Sequence, residues 1–233
     1  MGIRAMRQDR FADPAFWPAV LRAGPVKLRP IARRDQKAWL NLRDRNEDWL
    51  QPWDATSPTS EEPPHFGAYV GACLKAARLG LMLPWVIEFD GVLVGQLSLN
   101  NITRGASQQA SVGYWVAQEM AGRGIAPTAV ALAFDHAIRV GGLHRIEVAI
   151  RPENARSLRV VDKLGFRSEG LRPRCLHVGG QWRDHLIFAL TADDVPEGLL
   201  ARWQARQEAA AAAAGTVKLG RTKVPPASQI TTM

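Results

Sequence analysis

The 233-residue sequence predicts an α/β domain built on a mixed sheet and followed by a helical C-terminal segment. Two observations carry this prediction. In the second half of the chain, strand-like runs alternate with helix-like runs, which is typical of a sheet covered by helices. Between residues 84 and 102, two apolar runs meet at Asp90-Gly91, a dipeptide typical of two-residue hairpins. Part of the sheet is therefore expected to be antiparallel.

The first half of the chain supplies strands on either side of two amphipathic helices. Tryptophans and leucines recur at helical spacing after Asp35, and prolines interrupt the segment that follows. The predicted elements are a strand at 26–32, a helix from Asp35 to Leu50, a loop at 51–64, a helix over 66–80 and two strands within 84–102.

The second half alternates more regularly. The predicted elements are a strand at 110–117, a helix at 126–140, a strand at 144–150, a helix at 154–165 and strands at 166–170 and 181–191. Paired glycines at 141–142 and Gly165 end the two helices. The sheet should therefore contain about six to seven strands, flanked by about four helices.

Composition divides the chain into four segments. We expect an N-terminal extension at 1–24, the α/β domain at 25–194, an alanine-rich helix at 195–215 and a disordered tail at 216–233. No run approaches the roughly 18 apolar residues of a membrane span, and charges interrupt the first residues. These features favour a cytoplasmic protein that does not bind membranes, as a monomer or homodimer.

The charge and the cysteine content of the chain limit which partners and metal sites we expect. Lys and Arg number 30 against 22 Asp and Glu, a net charge of +8. This excess favours an anionic partner such as RNA, a ribosome or a phosphorylated cofactor, although a generally basic proteome would explain it equally well. The two cysteines lie far apart and outside any CxxC pattern, so we expect no metal site.

The segment AGRGIAPTAVALAF (121–134) places two glycines between a predicted strand and a predicted helix. Gly122 and Gly124 would let backbone amides approach an anion at the positive end of the helix dipole. The segment lacks the Lys of a Walker loop and the third glycine of a dinucleotide loop. From these residues alone, a phosphate site and an ordinary tight turn remain equal alternatives.

Residues downstream of this loop resemble a known family. The last four positions of Ala121–Ala126 are similar to the Gln/Arg-x-x-Gly-x-Gly/Ala loop of the GNAT superfamily of N-acetyltransferases. Thirty residues after Gly124, NARSLRVVDKLGFRSEG resembles the superfamily's second signature, Asn-x-x-Ser followed by Leu-Gly-Phe and Glu-Gly. Segments 45–54, 100–105 and 179–191 further resemble RimJ-type ribosomal-protein alanine N-acetyltransferases. The resemblance covers roughly residues 25–194.

The resemblance implies a GNAT fold with a sheet splayed at an acetyl-CoA site, and no metal. Acetyl-CoA would be the cosubstrate, and the N-terminal α-amine of a protein, above all a ribosomal protein, would be the acceptor. The implied cosubstrate-binding residues are Trp115, Val116, Gly122, Arg123, Gly124, Ile125, Ala126, Thr128, Asn154 and Ser157. Two departures from the pattern, Ala121 and Pro127, remove one customary side chain and one amide.

The resemblance indicates the catalytic and acceptor-binding residues less directly than the cosubstrate-binding residues. Ser157 would protonate the leaving thiolate, and Glu147 or Glu47 would assist deprotonation of the amine. Asp54 lies with Glu47 beside the expected substrate groove, next to Trp53, and each of these two acids could equally be an ordinary surface or salt-bridge residue. Trp53, Asn101, Arg104 and Tyr114 would contact the acceptor. Asn154 is also a good helix N-cap, and that structural alternative stays open.

Two other functions remain open at this point. The same cosubstrate could serve acetylation of a small amine such as a polyamine or aminoglycoside. The fold could also be a non-catalytic module that contacts a ribosome or RNA through its basic surface.

Overall fold

The computed structural model describes residues 15–59 and 64–219. Its strands are β1 (Leu21–Ala23), β2 (Val26–Pro30), β3 (Leu83–Phe89), β4 (Val92–Thr103), β5 (Gln109–Val116), β6 (Arg145–Ile150), β7 (Arg167–Val178) and β8 (Gln181–Thr191). Its α-helices are α1 (Gln36–Asp44), α2 (Glu47–Leu50), α3 (Phe66–Arg78), α4 (Ile125–Arg139), α5 (Ala155–Leu164) and α6 (Leu199–Leu219).

Within these described ranges, the eight strands form one sheet in the order β1-β2-β3-β4-β5-β6-β8-β7. Every neighbouring pair is antiparallel except β5 and β6, which run parallel. The predicted mixed α/β sheet is confirmed, with slightly more strands and helices than expected. None of the described helices is long and apolar enough to span a bilayer.

The additional strand lies in the segment that the sequence assigned to an N-terminal extension. Leu21 on β1 pairs with Leu28 on β2, and Phe16 just before β1 is buried with its ring stacked on His136. Charges and a proline interrupt the apolar residues here, which conceals the strand in the sequence. The packed domain therefore begins before residue 25, while residues 1–14 lie outside the described part.

One predicted helix is divided by a buried asparagine. Asn46 separates α1 from α2, because its Nδ2 donates to the Leu42 carbonyl (2.9 Å) and its Oδ1 accepts from the Gln118 amide (2.7 Å). The side chain thus ties the helix break to the segment after β5. This contact between distant residues has no local sequence signal.

Two predicted boundaries shift in the C-terminal part. β7 continues to Val178 rather than ending at residue 170, because residues 171–178 pair with β8 through an irregular register. The alanine-rich helix, α6, begins at Leu199 rather than 195 and continues through Gly215 to Leu219. A helix established on alanines can propagate past one glycine, which costs only about 1 kcal/mol. Residues 220–233 of the predicted tail lie outside the described part.

Alternation along β3 shows how both faces of the sheet are covered. Leu83, Trp85 and Ile87 face the larger core, which α4 fills. Val86 points to the other face and packs with Phe66 of α3. The hairpin that follows β3 has the predicted two-residue turn, since Asp90 (φ 49°) and Gly91 (φ 82°) are both left-handed, as in a type I′ turn.

Candidate active site

The sheet opens between β5 and β6. The two strands pair only through Gln109–Ser111 and Arg145–Glu147. Beyond these pairs, β6 continues beside β8, whereas β5 continues beside β4 as far as Val116. On the side that faces β6, Val112–Val116 has no strand partner among the described residues. This edge of β5 is therefore open to an extended ligand, except at the Val116 carbonyl, which accepts a hydrogen bond from the Trp49 indole.

A cavity of about 240 Å³ occupies this opening. Strand β5, the loop before α4, the exposed face of α5 and the segment that begins at α2 contribute to its wall. The predicted site residues that line it are Trp53, Tyr114, Trp115, Val116, Gly122, Gly124, Ile125, Ala126, Asn154 and Ser157. The structure thus brings together most of the residues implied for the cosubstrate.

The glycine loop forms one end of the cavity. Gly122 (φ 81°) and Gly124 (φ 76°) are both left-handed, and Gly124 is the N-cap of α4 without a side-chain cap. The first amides of α4 therefore have no partner within the helix and point out of its positive end. This arrangement suits a phosphate. Arg123 between the glycines is exposed and lies outside the cavity wall.

Thr128 does not contribute to the cavity wall. Its hydroxyl donates to the Gly124 carbonyl (2.8 Å) and accepts from the indole Nε1 of Trp203 (2.9 Å). The hydroxyl is therefore engaged within the protein, and Thr128 acts on the loop from behind. A distant tryptophan on α6 makes this contact, so the local sequence could not reveal it.

The N-terminus of α5 forms the opposite wall. Asn154 Oδ1 accepts a hydrogen bond from the Ser157 amide at 3.1 Å, so Asn154 is the N-cap of α5. It also lines the cavity, so the capping and ligand-binding interpretations apply to the same side chain. The cap fixes the first turn of α5 and thereby the position of Ser157.

Tyr114 meets Ser157 across the cavity. Its hydroxyl oxygen is buried and has no hydrogen-bond partner of ordinary geometry among the described residues. Burial raises the pKa of Tyr114 to about 12, and the nearby Ser157 hydroxyl opposes this shift only in part. The phenol therefore stays protonated and can donate a hydrogen bond to a ligand. A buried, unpartnered donor beside a cavity is typical of a binding site.

Segment 47–54 (α2 and the turn after it) forms the mouth of the cavity. The Trp49 indole donates to the Val116 carbonyl at 3.0 Å, and the Arg156 guanidinium lies 4.0 Å from the centre of the Trp49 ring. Arg151 lies over Trp53 at 5.4 Å and donates to the Pro52 carbonyl at 2.8 Å. These contacts hold the segment against β5 and the start of α5.

A carboxylate also lies at this mouth. Asp54 lines the cavity and forms an ion pair with Arg43, whose NH1 donates to its Oδ1 at 3.1 Å. Arg43 in turn packs on Trp39 and on Trp115 of β5. The carboxylate is therefore held in a fixed orientation between α1 and the cavity.

Four predicted residues lie away from the cavity wall. Glu47 is exposed, and Glu147 accepts two hydrogen bonds from Arg145, at 3.0 and 2.9 Å. Asn101 donates to the Ser111 hydroxyl at 3.2 Å. Arg104 donates to the Gly141 carbonyl near the opposite end of β4 from Gly95 and Val116. The first two therefore lose their support as bases, and the last two their support as acceptor contacts.

Sequence reasoning missed three cations along α5. Arg156, Arg159 and Lys163 line the cavity at spacings of three and four residues, so they share one face of the helix. That spacing was visible in the sequence and, beside a phosphate loop, favours anion binding. Trp49 had no comparable pattern, whereas Asp54, which the sequence placed beside the substrate groove, does line the cavity. Among residues 15–59 and 64–219, no cluster of three or more His, Cys, Asp or Glu could hold a metal ion.

Comparison with known proteins identifies the family. Residues 26–167 match the model of the acetyltransferase (GNAT) domain. The chain belongs to this GNAT family. The splayed sheet and the glycine loop are therefore those of a GNAT acetyltransferase, as the sequence resemblance implied.

Individual GNAT relatives refine the comparison. The structure of Mycobacterium smegmatis RimJ in complex with CoA-disulfide is 41% identical, with a TM-score of 0.77 over 82% of this chain and 96% of that one. The [ribosomal protein uS5]-alanine N-acetyltransferase of Escherichia coli is 30% identical over 70% of this chain and 87% of its own length. The spermidine N(1)-acetyltransferase of Escherichia coli is 28% identical over 72% and 87%. The protein is thus an acetyltransferase similar to ribosomal-protein acetyltransferases.

Proposed function

We propose that this GNAT protein transfers the acetyl group of acetyl-CoA to the N-terminal α-amine of a protein, with a ribosomal protein as the first candidate. The observation that carries the proposal is the cavity, which joins an unpaired strand, a phosphate loop and an aromatic mouth with one fixed carboxylate. The resemblance to RimJ and to the uS5-alanine acetyltransferase supports the choice of acceptor.

The residues present fit acetyl-CoA. The unpaired backbone at Trp115 and Val116 would bind the pantetheine arm as an added strand, and the amides of Arg123 to Ala126 would bind the pyrophosphate. The cations of α5, in particular Arg159 and Lys163, would neutralise phosphate charge. The buried donor on Tyr114 supplies a partner for a polar group within the cavity.

Bound acetyl-CoA would supply an activated acyl group and a thiolate leaving group. The protein's own residues hold and protonate the reacting atoms. The hydroxyls of Ser157 and Tyr114, which both line the cavity, would donate hydrogen bonds where negative charge develops, and Ser157 would be the donor to the leaving sulfur. The Val116 amide is a candidate donor to the carbonyl oxygen.

The acceptor amine needs little help to lose its proton. An N-terminal amine has a pKa of about 8, so a substantial fraction is neutral at pH 7. Asp54 is the carboxylate that the structure places at the cavity, and it would accept the amine proton directly or through water. Asp54 therefore replaces Glu47 and Glu147 as the proposed base.

The mouth suits a peptide better than a polycation. Trp49 and Trp53 supply apolar surface, and Asp54 is already paired with Arg43. Among the described residues, this wall carries no carboxylate besides Asp54, whereas a polyamine has several cationic groups to neutralise. The net charge of +8 also supports a contact with ribosomal RNA, which would make ribosomal particles better acceptors than free peptides.

Mass spectrometry of reactions with acetyl-CoA tests the proposal. A peptide that carries the N-terminal residues of uS5 should gain one acetyl group at its α-amine, and the same peptide with a blocked N-terminus should not react. Spermidine should be acetylated at least about tenfold more slowly, which corresponds to about 1.4 kcal/mol of discrimination. Acetylation of spermidine but not of peptides would contradict the proposed acceptor. Binding of acetyl-CoA without any turnover would favour the non-catalytic alternative.

A further inference from the structure

The alanine-rich helix α6 follows the region matched by the family model, which ends at residue 167, but it is tightly attached to the domain. Asp135 of α4 accepts hydrogen bonds from the amides of Leu199 (2.7 Å) and Leu200 (3.1 Å). These bonds cap the N-terminus of α6, and Leu199 and Trp203 are buried in the main core. The first turns of α6 are therefore part of the folded domain.

From this anchor, α6 reaches the back of the phosphate loop. Trp203 Nε1 donates to the Thr128 hydroxyl at 2.9 Å, and that hydroxyl donates to the Gly124 carbonyl at 2.8 Å. A continuous chain of hydrogen bonds thus links α6 to the N-cap of α4. A Cβ on Gly124 would lie 3.1 Å from Gln207 Nε2 and 3.5 Å from Trp203 Cζ2, so α6 also covers the loop sterically.

The same helix contacts the end of α5. Arg206 NH1 donates to the Asp162 carbonyl at 3.0 Å, beside the C-terminus of α5. A Cβ on Gly165, the residue that ends α5, would lie 3.2 Å from Arg202 NH1. α6 therefore bridges the helix whose N-terminus forms the phosphate loop and the helix that carries the cations Arg159 and Lys163.

We propose that α6 is a positioning element for the cosubstrate site, with Trp203 and Thr128 fixing the phosphate loop in its anion-binding conformation. This inference rests on the proposed use of acetyl-CoA. Trp203 and Thr128 line no part of the cavity, so they act through the backbone of Gly124.

The glycines of the loop give a physical reason for such a positioning element. Gly122 and Gly124 lack side chains that would restrict the loop, and its conformational freedom must be lost when a phosphate binds. A hydrogen bond that fixes the Gly124 carbonyl before binding lowers that entropic cost. Loss of the hydrogen bonds from Trp203 through Thr128 to Gly124 should therefore weaken binding of the phosphate-bearing part of the cosubstrate and leave the chemical step unchanged.

The test uses the full-length protein with substitutions that break this chain of hydrogen bonds. Trp203→Phe removes one bond and should raise the KM for acetyl-CoA and the calorimetric Kd for CoA about fivefold, with kcat unchanged, since one hydrogen bond contributes about 1 kcal/mol. Thr128→Val removes both bonds and should have at least the same effect. The double variant should be no weaker than Thr128→Val alone, because that substitution already breaks the whole chain. Thr128→Ser keeps the hydroxyl and should retain wild-type affinity.

Two controls separate positioning from general damage. S-acetylpantetheine has no phosphates, so kcat/KM for this truncated substrate should be equal in the wild type and both variants. Gln204→Ala alters an exposed glutamine on the same helix and should leave CoA affinity unchanged, whereas Gln207→Ala should weaken it about twofold through lost packing on Gly124.

Three results would overturn the proposal. These are unchanged CoA affinity in both Trp203→Phe and Thr128→Val, an equal loss with S-acetylpantetheine, or a loss in kcat alone. The CoA titration needs no acceptor, so wild-type protein that binds CoA but leaves every peptide unmodified contradicts only the proposed acceptor. Failure of the wild type to bind CoA would overturn both inferences.

Discussion

The two ends of the cavity are built in different ways. The phosphate-loop end consists of backbone groups presented by consecutive residues, Gly122 to Ala126, with a helix behind them. The mouth consists of side chains from separate segments, where Trp53, Asp54 and their partners Arg43 and Arg151 meet only in the fold. With the proposed function, backbone groups would bind the cosubstrate at one end of the cavity and side chains would recognise the acceptor at the other.

The largest expected effect is at the backbone-built end. Gly124→Val should weaken CoA binding at least about 100-fold, because a β-branched side chain is strained at φ 76° and its Cβ would lie only 3.1 Å from Gln207 Nε2, which would have to move. Isothermal calorimetry measures the loss. Gly105→Val is the matched control, since Gly105 has φ 70° and open space around it. Equal CoA affinity in both variants would show that the loop does not bind the cosubstrate.

Substitutions at the mouth should change the kinetics of the acceptor peptide and not the affinity for CoA. Asp54→Asn should lower kcat/KM for the peptide about tenfold and leave the Kd for CoA unchanged, because the amide cannot accept the amine proton. Asp48 is an exposed acid within the same mouth segment. Asp48→Asn is therefore the control, and it should change neither kcat/KM for the peptide nor the Kd for CoA. Steady-state kinetics with either substrate varied distinguishes the two outcomes. A change in CoA affinity would contradict the division between the two ends.

Tyr114 lies between the two ends and should show opposite effects on activity and stability. Tyr114→Phe should lower kcat about fivefold by removing a hydrogen-bond donor, while Tm stays equal or rises, because the buried hydroxyl has no partner of ordinary geometry among the described residues. Since the pKa of Tyr114 is about 12, this donor stays protonated from pH 6 to 9, and the wild-type pH profile should show no ionisation from it. A loss of both activity and Tm would indicate a purely structural residue.

The smallest effect is expected for the cations of α5. Lys163→Ala should raise the Kd for CoA about threefold at low salt and less at high salt, as for a solvent-screened charge. Arg45→Ala, at the exposed end of α1, provides a control of similar charge. CoA titrations at two salt concentrations measure the difference. A salt-independent change would argue against an electrostatic contribution.

The difference between the backbone-built end and the side-chain-built mouth also explains which site residues the sequence could predict. Gly122, Gly124, Asn154 and Ser157 carry their information in short spacings, because adjacent residues create the loop and the helix start. Glu147 pairs with Arg145, its neighbour on the same face of β6, and does not line the cavity. Asp54 gained its position from an ion pair across eleven residues with Arg43. Local patterns thus predict backbone sites, whereas tertiary ion pairs decide which carboxylates face a cavity.

The fold was predictable for a similar reason. Strand alternation and the Asp90-Gly91 turn are local signals, and both were confirmed. The break at Asn46 depends on Gln118, and the packing of Phe16 just before β1 depends on His136, and both partners lie far along the chain. Elements that owe their existence to such partners have weak intrinsic propensity and escape detection.

The parallel junction between β5 and β6 has a consequence for how the chain folds. Among the described strands, β1–β5 join the antiparallel group β6, β8 and β7 through three residue pairs between Gln109–Ser111 and Arg145–Glu147, next to backbone bonds from His144 and Arg145 to the Gln108 carbonyl. The pairs within each group are antiparallel, whereas a parallel junction needs the intervening α4 to be in place. Amide protons at this junction should therefore exchange faster than those of β3 and β4 at the sheet centre. The opening thus lies at the short junction between two antiparallel groups of strands.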